Sequence, residues 1–248
     1  MSRAGHREVT NVWLGGNGER EVSVASLNTQ AWVALVILAV VMGLLLFVPA
    51  GTLGYWQGWV YLAVFIGASA LTTIDLIRRD PALLARRMRG GPTAEQRPAQ
   101  RAIMLVASTG FIALLVVPAL DHRFGWSHVP IWVVIGGDLL VVVGFALIAR
   151  VYRENTYTSS TIQVATDQRV VSTGPYAIVR HPMYASAMLY LIGTPLALGS
   201  YWGLVAFVAM IPVLIWRLFD EERMLANDLP GYRDYQRKVR HRLVPFIW

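Results

Sequence analysis

The 248-residue sequence contains no cysteine. That excludes disulfides, thiolate metal sites and cysteine nucleophiles, and leaves the compartment open. Charge is scarce as well. Only 15% of residues are Asp, Glu, Lys or Arg, where a soluble domain carries roughly 25%. Hydrophobic residues make up 55%, and the mean hydropathy is +0.48. This composition specifies a polytopic membrane protein. Internal repeats and low-complexity tracts are lacking. Residues 1–30 are polar and the first apolar run begins near Ala31, so no cleavable signal peptide is expected. The formal net charge is +7 and the pI about 10.0. Basic loops against an anionic leaflet account for that charge, so the bilayer is the expected partner and nucleic acid is not.

Apolar runs fall at about 31–48, 59–77, 102–120, 131–149, 184–199 and 201–219. Most approach the ~20 residues that cross hydrocarbon as a helix. The fifth is shorter and contains Gly193, Pro195 and Gly199. Only Ser200 separates it from the sixth, so the two form a tight helical hairpin. The expected fold is all-α: a transmembrane bundle of about six helices with a C-terminal cytosolic cofactor-binding region. Three regions are expected. A mobile polar tail spans 1–26, a four-helix transmembrane region 27–150, and a catalytic region with the hairpin and an amphipathic tail 151–248.

Arginine sets the orientation. Segment 78–101 holds Arg78, Arg79, Arg86, Arg87, Arg89, Arg97 and Arg101, whereas 49–58 holds no charge. Segments 150–183 and 220–248 are basic too. Six spans therefore place both termini and every basic segment in the cytoplasm. Trp56, Trp59, Trp126, Trp132 and Trp202 form the expected outer aromatic belt, with Trp32 and Trp216 at the inner interface.

The polar residues beside hydrocarbon are few and clustered, which marks a functional site. Tyr176, Arg180, His181 and Tyr184 gather at the start of the fifth run. Pro182 suits the first turn of a helix, where its missing N–H costs nothing. That helix end favours an anion. Arg180 offers a bidentate carboxylate clamp, and His181 a group able to bind or move a proton near neutral pH. Read as structure alone, this cluster is an interfacial anchor. Asp220-Glu221-Glu222-Arg223 ends the sixth run, and either Glu221 or Glu222 could pair with Arg180 while the other faces a cation. A short helix follows, with Tyr232 and Tyr235 on an aromatic side and Arg237, Lys238, Arg240 and Arg242 on a basic one. Asp75 lies near Arg78 and Arg79, as a structural pair would. Asp138, beside Gly136 and Gly137, reads as interior and hydrogen-bonded, and is a candidate for a substrate cavity.

The order Gly-Pro-Tyr, Arg-His-Pro-x-Tyr, apolar hairpin, Glu-Glu, Gly-x-x-x-Tyr, basic run resembles the integral-membrane methyltransferases over about residues 150–248. That family includes the isoprenylcysteine carboxyl methyltransferases and phospholipid methyltransferases. The resemblance implies S-adenosylmethionine as cofactor, bound at the cytosolic face by Tyr176, Arg180, His181, Pro182, Tyr184, Glu221, Glu222 and Tyr235. It implies catalytic roles for Arg180, Glu222, and Arg240 or Arg242, and no metal. The implied acceptor is lipophilic: a prenylcysteine carboxylate, a lipid amine or a thiol. Many relatives carry glycine where this chain has Ser186, and a serine there is expected to tighten the cofactor pocket. Two alternatives stay open. One is a membrane NADPH-dependent sterol-type reductase, for which Glu221 and Glu222 would be poorly placed. The other is a non-enzymatic transporter, which would line a path with more polar residues than Asp138.

A chain without cysteine is suited to single-cysteine labelling. Gly90→Cys should react with an impermeant maleimide from the cytoplasmic side and Gly54→Cys from the opposite side. Labelling with the sides reversed would overturn the orientation.

Overall fold

The structure, a computed structural model, describes residues 11–12, 22–88, 90, 95, 98–158 and 168–248. Most of the expected N-terminal tail, together with Arg89 and Arg97, lies outside them. A two-residue antiparallel pair, Asn11–Val12 with Val22–Ser23, precedes the helices. The rest is helical: α1 (Val24–Ala50), α2 (Trp56–Arg79), α3 (Pro81–Met88), α4 (Pro98–Phe124), α5 (Ile131–Glu154), α6 (Pro182–Ala197), α7 (Gly203–Asp228) and α8 (Tyr232–Lys238). Proline opens α3, α4 and α6, using the position where its lost N–H is harmless. Asp80 also caps α3, accepting the Leu83 N–H at 2.8 Å.

Five helices among the described residues, α1, α2, α4, α5 and α7, are long and apolar enough to cross a membrane. The sixth expected span is shorter. Its helix α6 has 16 residues, about 24 Å of rise, because Pro182 starts it and the Pro195–Gly199 stretch ends it. It nevertheless runs the full distance between the two ends of the bundle. At its start Arg180 and His181 meet α7's C-terminal turns. Beyond its end, the Tyr55 hydroxyl before α2 donates to the Leu198 carbonyl, and Ser200 donates to Asp121 of α4. The hairpin therefore exists, and the motif and the acidic pair share one end, called the site end below. Trp126 and Trp202 touch edge to face at the other end, 6.3 Å apart.

α6 lies mainly against α5, α7 against α4, and α1 against α4 and α2. No residue of α6 is exposed. The lipid-facing helices instead present large apolar side chains outward, such as Val36, Ile37 and Val40 on α1 and Ile135, Leu139 and Val142 on α5, as a bilayer requires. The central core joins Met42, Leu46, Tyr61, Phe65, Leu115 and Val141. Small residues let α5 and α6 approach closely. A Cβ at Gly137 would sit 2.2 Å from the Ala197 amide nitrogen, and one at Gly193 would sit 2.7 Å from the Gly137 carbonyl.

Asp75 pairs with Arg79 at 2.6 Å, as expected, and also with Arg153 of α5 at 3.2 Å. Asp138 departs from expectation. Its Oδ1 is buried with no hydrogen-bond partner among the described residues. The backbone brought close by Gly137 is helical and already paired, and the nearby Tyr61 hydroxyl is shared with Thr194 at 3.0 Å instead.

Overpacking against backbone has no flexible escape, so Gly137→Val should cost at least about 1–3 kcal/mol. Gly136→Val, with open space around its Cβ, should be close to neutral. Thermal unfolding of the two variants in detergent checks the contrast, and equal midpoints would contradict the close α5–α6 contact.

Candidate active site

Adjacent residues on a helix point about 100° apart. In α7 this gives Glu221 and Glu222 different surroundings. Glu221 shares a face with Met210, Leu214, Arg217 and Leu225, and all five line one cavity. Glu222 turns away from it, toward the residues after α8.

Glu222 is buried and meets three basic side chains. Arg180 Nε is 2.7 Å from Oε1, His181 Nε2 is 3.2 Å from the same oxygen, and Arg242 Nε is 3.0 Å from Oε2. The Arg180 and Glu222 side chains are only 6% and 7% exposed. Arg180 Nη1 also donates to the carbonyls of Val239 and Arg240 at 2.8 and 2.9 Å. The backbones join too: Arg180 N–H donates to His241 and His181 N–H to Arg242, at 2.9 and 3.0 Å. The segment after α8 thus straps the α6 start to α7. Of the two tail arginines, Arg242 reaches this cluster, while Arg240 is exposed and contributes a backbone carbonyl. Arg242 is further held over the rings of Phe219 and Trp248, at 5.2 and 5.4 Å.

The cavity has a volume of about 690 Å³. Its polar end holds Tyr176, Arg180, His181, Pro182, Tyr184, Glu221 and Tyr235, together with Asn155 and Tyr232. The Tyr184 hydroxyl donates to Glu221 Oε2 at 2.7 Å. Asn155 Nδ2 donates to the Tyr176 hydroxyl at 3.0 Å, and the Tyr235 hydroxyl donates to the Tyr176 carbonyl at 2.7 Å. Burial pushes the Tyr176 phenol up to about 12 and raises Tyr232 and Tyr235 as well, so all three are neutral at physiological pH, and the buried Tyr232 hydroxyl has no hydrogen-bond partner among the described residues. Toward the other end the walls become apolar: Leu38, Val41 and Leu45 of α1, Met104, Phe111 and Ile112 of α4, Met210 and Leu214 of α7. From Met210 to Glu221 the cavity follows α7 for about 16 Å. Val41 and Ile112 are also 46% and 45% exposed on the outside of the bundle, so the apolar end opens sideways between α1 and α4.

Every residue expected to bind cofactor lines this cavity except Glu222, which lies behind Arg180 and His181. Ser186 does not narrow the pocket. It is buried on the α5 side of α6, with its hydroxyl bonded to the Pro182 carbonyl at 2.7 Å. Asp138 does not line the cavity either. Sequence reasoning missed Arg217 and Arg87. Arg217 lines the cavity one turn before Glu221 and pairs with Glu95 at 3.0 Å, with Gln100 Oε1 also at 3.0 Å. Its four-residue spacing from Glu221 was the available signal. Arg87 lies 5.3 Å from the Tyr152 ring centre. Nothing local distinguishes it from Arg86, which bonds the Thr156 carbonyl instead.

This constellation invites comparison with known membrane enzymes. Residues 132–229 match the phospholipid methyltransferase family. Two proteins of Oryza sativa, from subspecies indica and japonica, are named as probable protein-S-isoprenylcysteine O-methyltransferases. Each is 26% identical over 146 residues, covering 54% of this chain and 68% of its own. A solved eukaryotic intramembrane Ras methyltransferase, the isoprenylcysteine carboxyl methyltransferase, aligns with 91% of this chain and 88% of its own at 16% identity and a TM-score of 0.48. The resemblance to integral-membrane methyltransferases, read from the order of motifs, is borne out by the family match and the rice relatives. The matched family region includes the α6–α7 hairpin and stops before α8, the tail arginines and all of α1 and α4.

Removing one partner of a buried ion pair costs about 3–5 kcal/mol. Arg180→Ala and Glu222→Ala should therefore each lower the thermal midpoint markedly in detergent. Glu221→Gln, which keeps a hydrogen-bonding group toward Tyr184, should stay within about 1 kcal/mol of wild type. A stable Glu222→Ala variant would refute the role of this pair.

Proposed function

We propose that this chain is a membrane-embedded methyltransferase that uses S-adenosylmethionine and methylates a lipophilic acid reaching it from the bilayer. The observation that carries the reading is continuity. One cavity joins a hydrogen-bonding end at the motif residues to an apolar end open between α1 and α4. A polar cofactor and an apolar acceptor can thus meet inside one volume without either crossing the other's solvent.

The residues present suit the cofactor. The N-terminus of α6 favours its carboxylate, and Arg180, with Nε and Nη1 committed to Glu222 and the strap, would reach it through Nη2. Glu221 suits its ammonium or ribose hydroxyls, and the faces of Tyr176, Tyr184 and Tyr232 suit a sulfonium. When bound, S-adenosylmethionine supplies an electrophilic methyl group with a neutral thioether as leaving group. The chain's own work is to position the partners and exclude water. Leu191, Met210 and Met224 are buried along the walls and present apolar surface to the middle of the cavity.

An acid is favoured over an amine as acceptor. The cavity walls carry Arg87, Arg169, Arg180 and Arg217 with Glu221, but Arg180 and Arg217 are paired with Glu222 and Glu95, so the preference for an acid rests on the relatives. The two rice relatives carry names that specify O-methylation of an isoprenylcysteine. A carboxylate is ionised at neutral pH and needs no protein base. That suits a site whose histidine is engaged with Glu222. The arginine distribution supports a cytoplasmic side for this site.

Methyl-labelled S-adenosylmethionine, purified protein and membrane extract should yield an organic-extractable, base-labile methyl ester. Base-stable label in lipid would indicate an amine acceptor, and label confined to hydrophilic products would overturn lateral access. Binding of NADPH in place of S-adenosylhomocysteine would favour a reductase. Ile112→Trp, placed at the lateral opening, should raise KM for a lipophilic acid about tenfold while leaving S-adenosylhomocysteine affinity unchanged.

A further inference from the structure

The exposed face of α7 carries Val205, Val208, Pro212, Trp216 and Phe219 at helical spacing. This is its lipid-facing stripe, and it ends at Phe219. The turn formed by Leu243–Trp248 packs there, with the Phe219 and Trp248 rings 5.9 Å apart and nearly perpendicular. The turn closes on itself through the Leu243 and Val244 N–H groups, which both donate to the Trp248 carbonyl at 3.0 Å. Its tip points Phe246 and Ile247 outward, 90% and 81% exposed. Phe246 has φ +66°, a left-handed conformation that an aromatic residue adopts only at a cost. Inside the protein the Phe246 ring lies 5.5 Å from the His241 ring, yet it stays 90% exposed. In the residues leading to this turn, Arg237, Lys238 and Arg240 are exposed, with Arg237 paired to Asp234 at 3.3 Å.

Apolar tip, aromatic flank and adjacent cations form the pattern of an interfacial anchor on an anionic leaflet. The base of this anchor carries Arg242, held between Phe219 and Trp248 and bonded to Glu222. We propose that the Leu243–Trp248 turn inserts Phe246 and Ile247 into the anionic headgroup layer and thereby seats Arg242 on Glu222, so that closure of the strap over the α6 start depends on the charge of the leaflet. The bilayer surface then acts on the site through a distinct segment, separate from the lateral opening between α1 and α4.

The test needs neither methyl donor nor acceptor, so it stands apart from the activity proposed above. Ile247→Cys, labelled with an environment-sensitive nitrobenzoxadiazole dye, is placed in nanodiscs of neutral phosphatidylcholine or of phosphatidylcholine with phosphatidylglycerol. The dye should emit in the blue and be quenched by a shallow nitroxide lipid, more strongly in anionic discs. Hydrogen exchange at the Arg180 and His181 amides, which donate to the strap, should slow about tenfold from neutral to anionic discs, as expected for a few lipid-facing cations. The double variant Phe246→Ser, Ile247→Ser should abolish that difference. Water-like emission in both discs overturns the insertion. A buried dye with equal exchange in both lipids overturns the coupling, and so does a lipid-dependent slowing that persists in the double variant.

Discussion

One buried carboxylate organises the site end of this bundle. Glu222 receives Arg180 and His181 from the start of α6 and Arg242 from the strap, on two oxygens. An isolated carboxylate at that depth would be strongly unfavourable, and so would an isolated guanidinium. Together they satisfy one another, but only when three segments distant in sequence are correctly placed. The cluster therefore acts as a specification more than as a source of net stability. It sets the height of α6 against α7, which in turn places Tyr184 opposite Glu221. Most of the polar cavity wall follows from that one register.

The two halves of the chain divide the cavity between them. The hairpin, together with Asn155, Tyr176 and the tyrosines of α8, supplies the hydrogen-bonding end and one long wall, while α1, α3 and α4 supply the other side of the apolar arm and Arg87. A polar network ties the halves together: Arg217 of α7 reaches Glu95 and Gln100, and Gln100 also reaches Asp220. The family match covers the hairpin and not α1, α4 or α8, so the α1 and α4 side of the apolar arm lies outside the matched region.

Much of this was legible in the sequence because hydropathy and arginine placement are coarse signals that survive without tertiary knowledge. The long helices, the tight hairpin at Ser200 and the gathering of Arg180, His181 and the acidic pair at one end follow from run lengths and helix starts. The separate duties of Glu221 and Glu222 were not readable, since both are equally plausible partners until the helix is oriented. Arg180 read as a free clamp, and the structure shows two of its nitrogens already committed to Glu222 and the strap. Arg217 was hidden in an apolar run, and Arg87 in a segment whose arginines serve topology as a group. The unpartnered Oδ1 of Asp138 shows the limit of inferring satisfaction from burial.

The brevity of α6 has a consequence for depth. A hydrocarbon layer is about 30 Å thick, while α6 rises about 24 Å. With no exposed residue, this helix answers to its protein neighbours and not to lipid, so it imposes no thinning on the bilayer. Its start, and the Arg180–His181–Glu222 cluster with it, can instead lie a few ångströms beneath the level of the surrounding headgroups. An acceptor whose polar group already rides at that level needs no lifting into water. Each methylene left in hydrocarbon spares about 0.8 kcal/mol of extraction, so five of them amount to about 4 kcal/mol that binding at the site does not have to offset. A recessed floor turns the membrane itself into the reservoir from which an acceptor is drawn by sliding, with its chain still immersed.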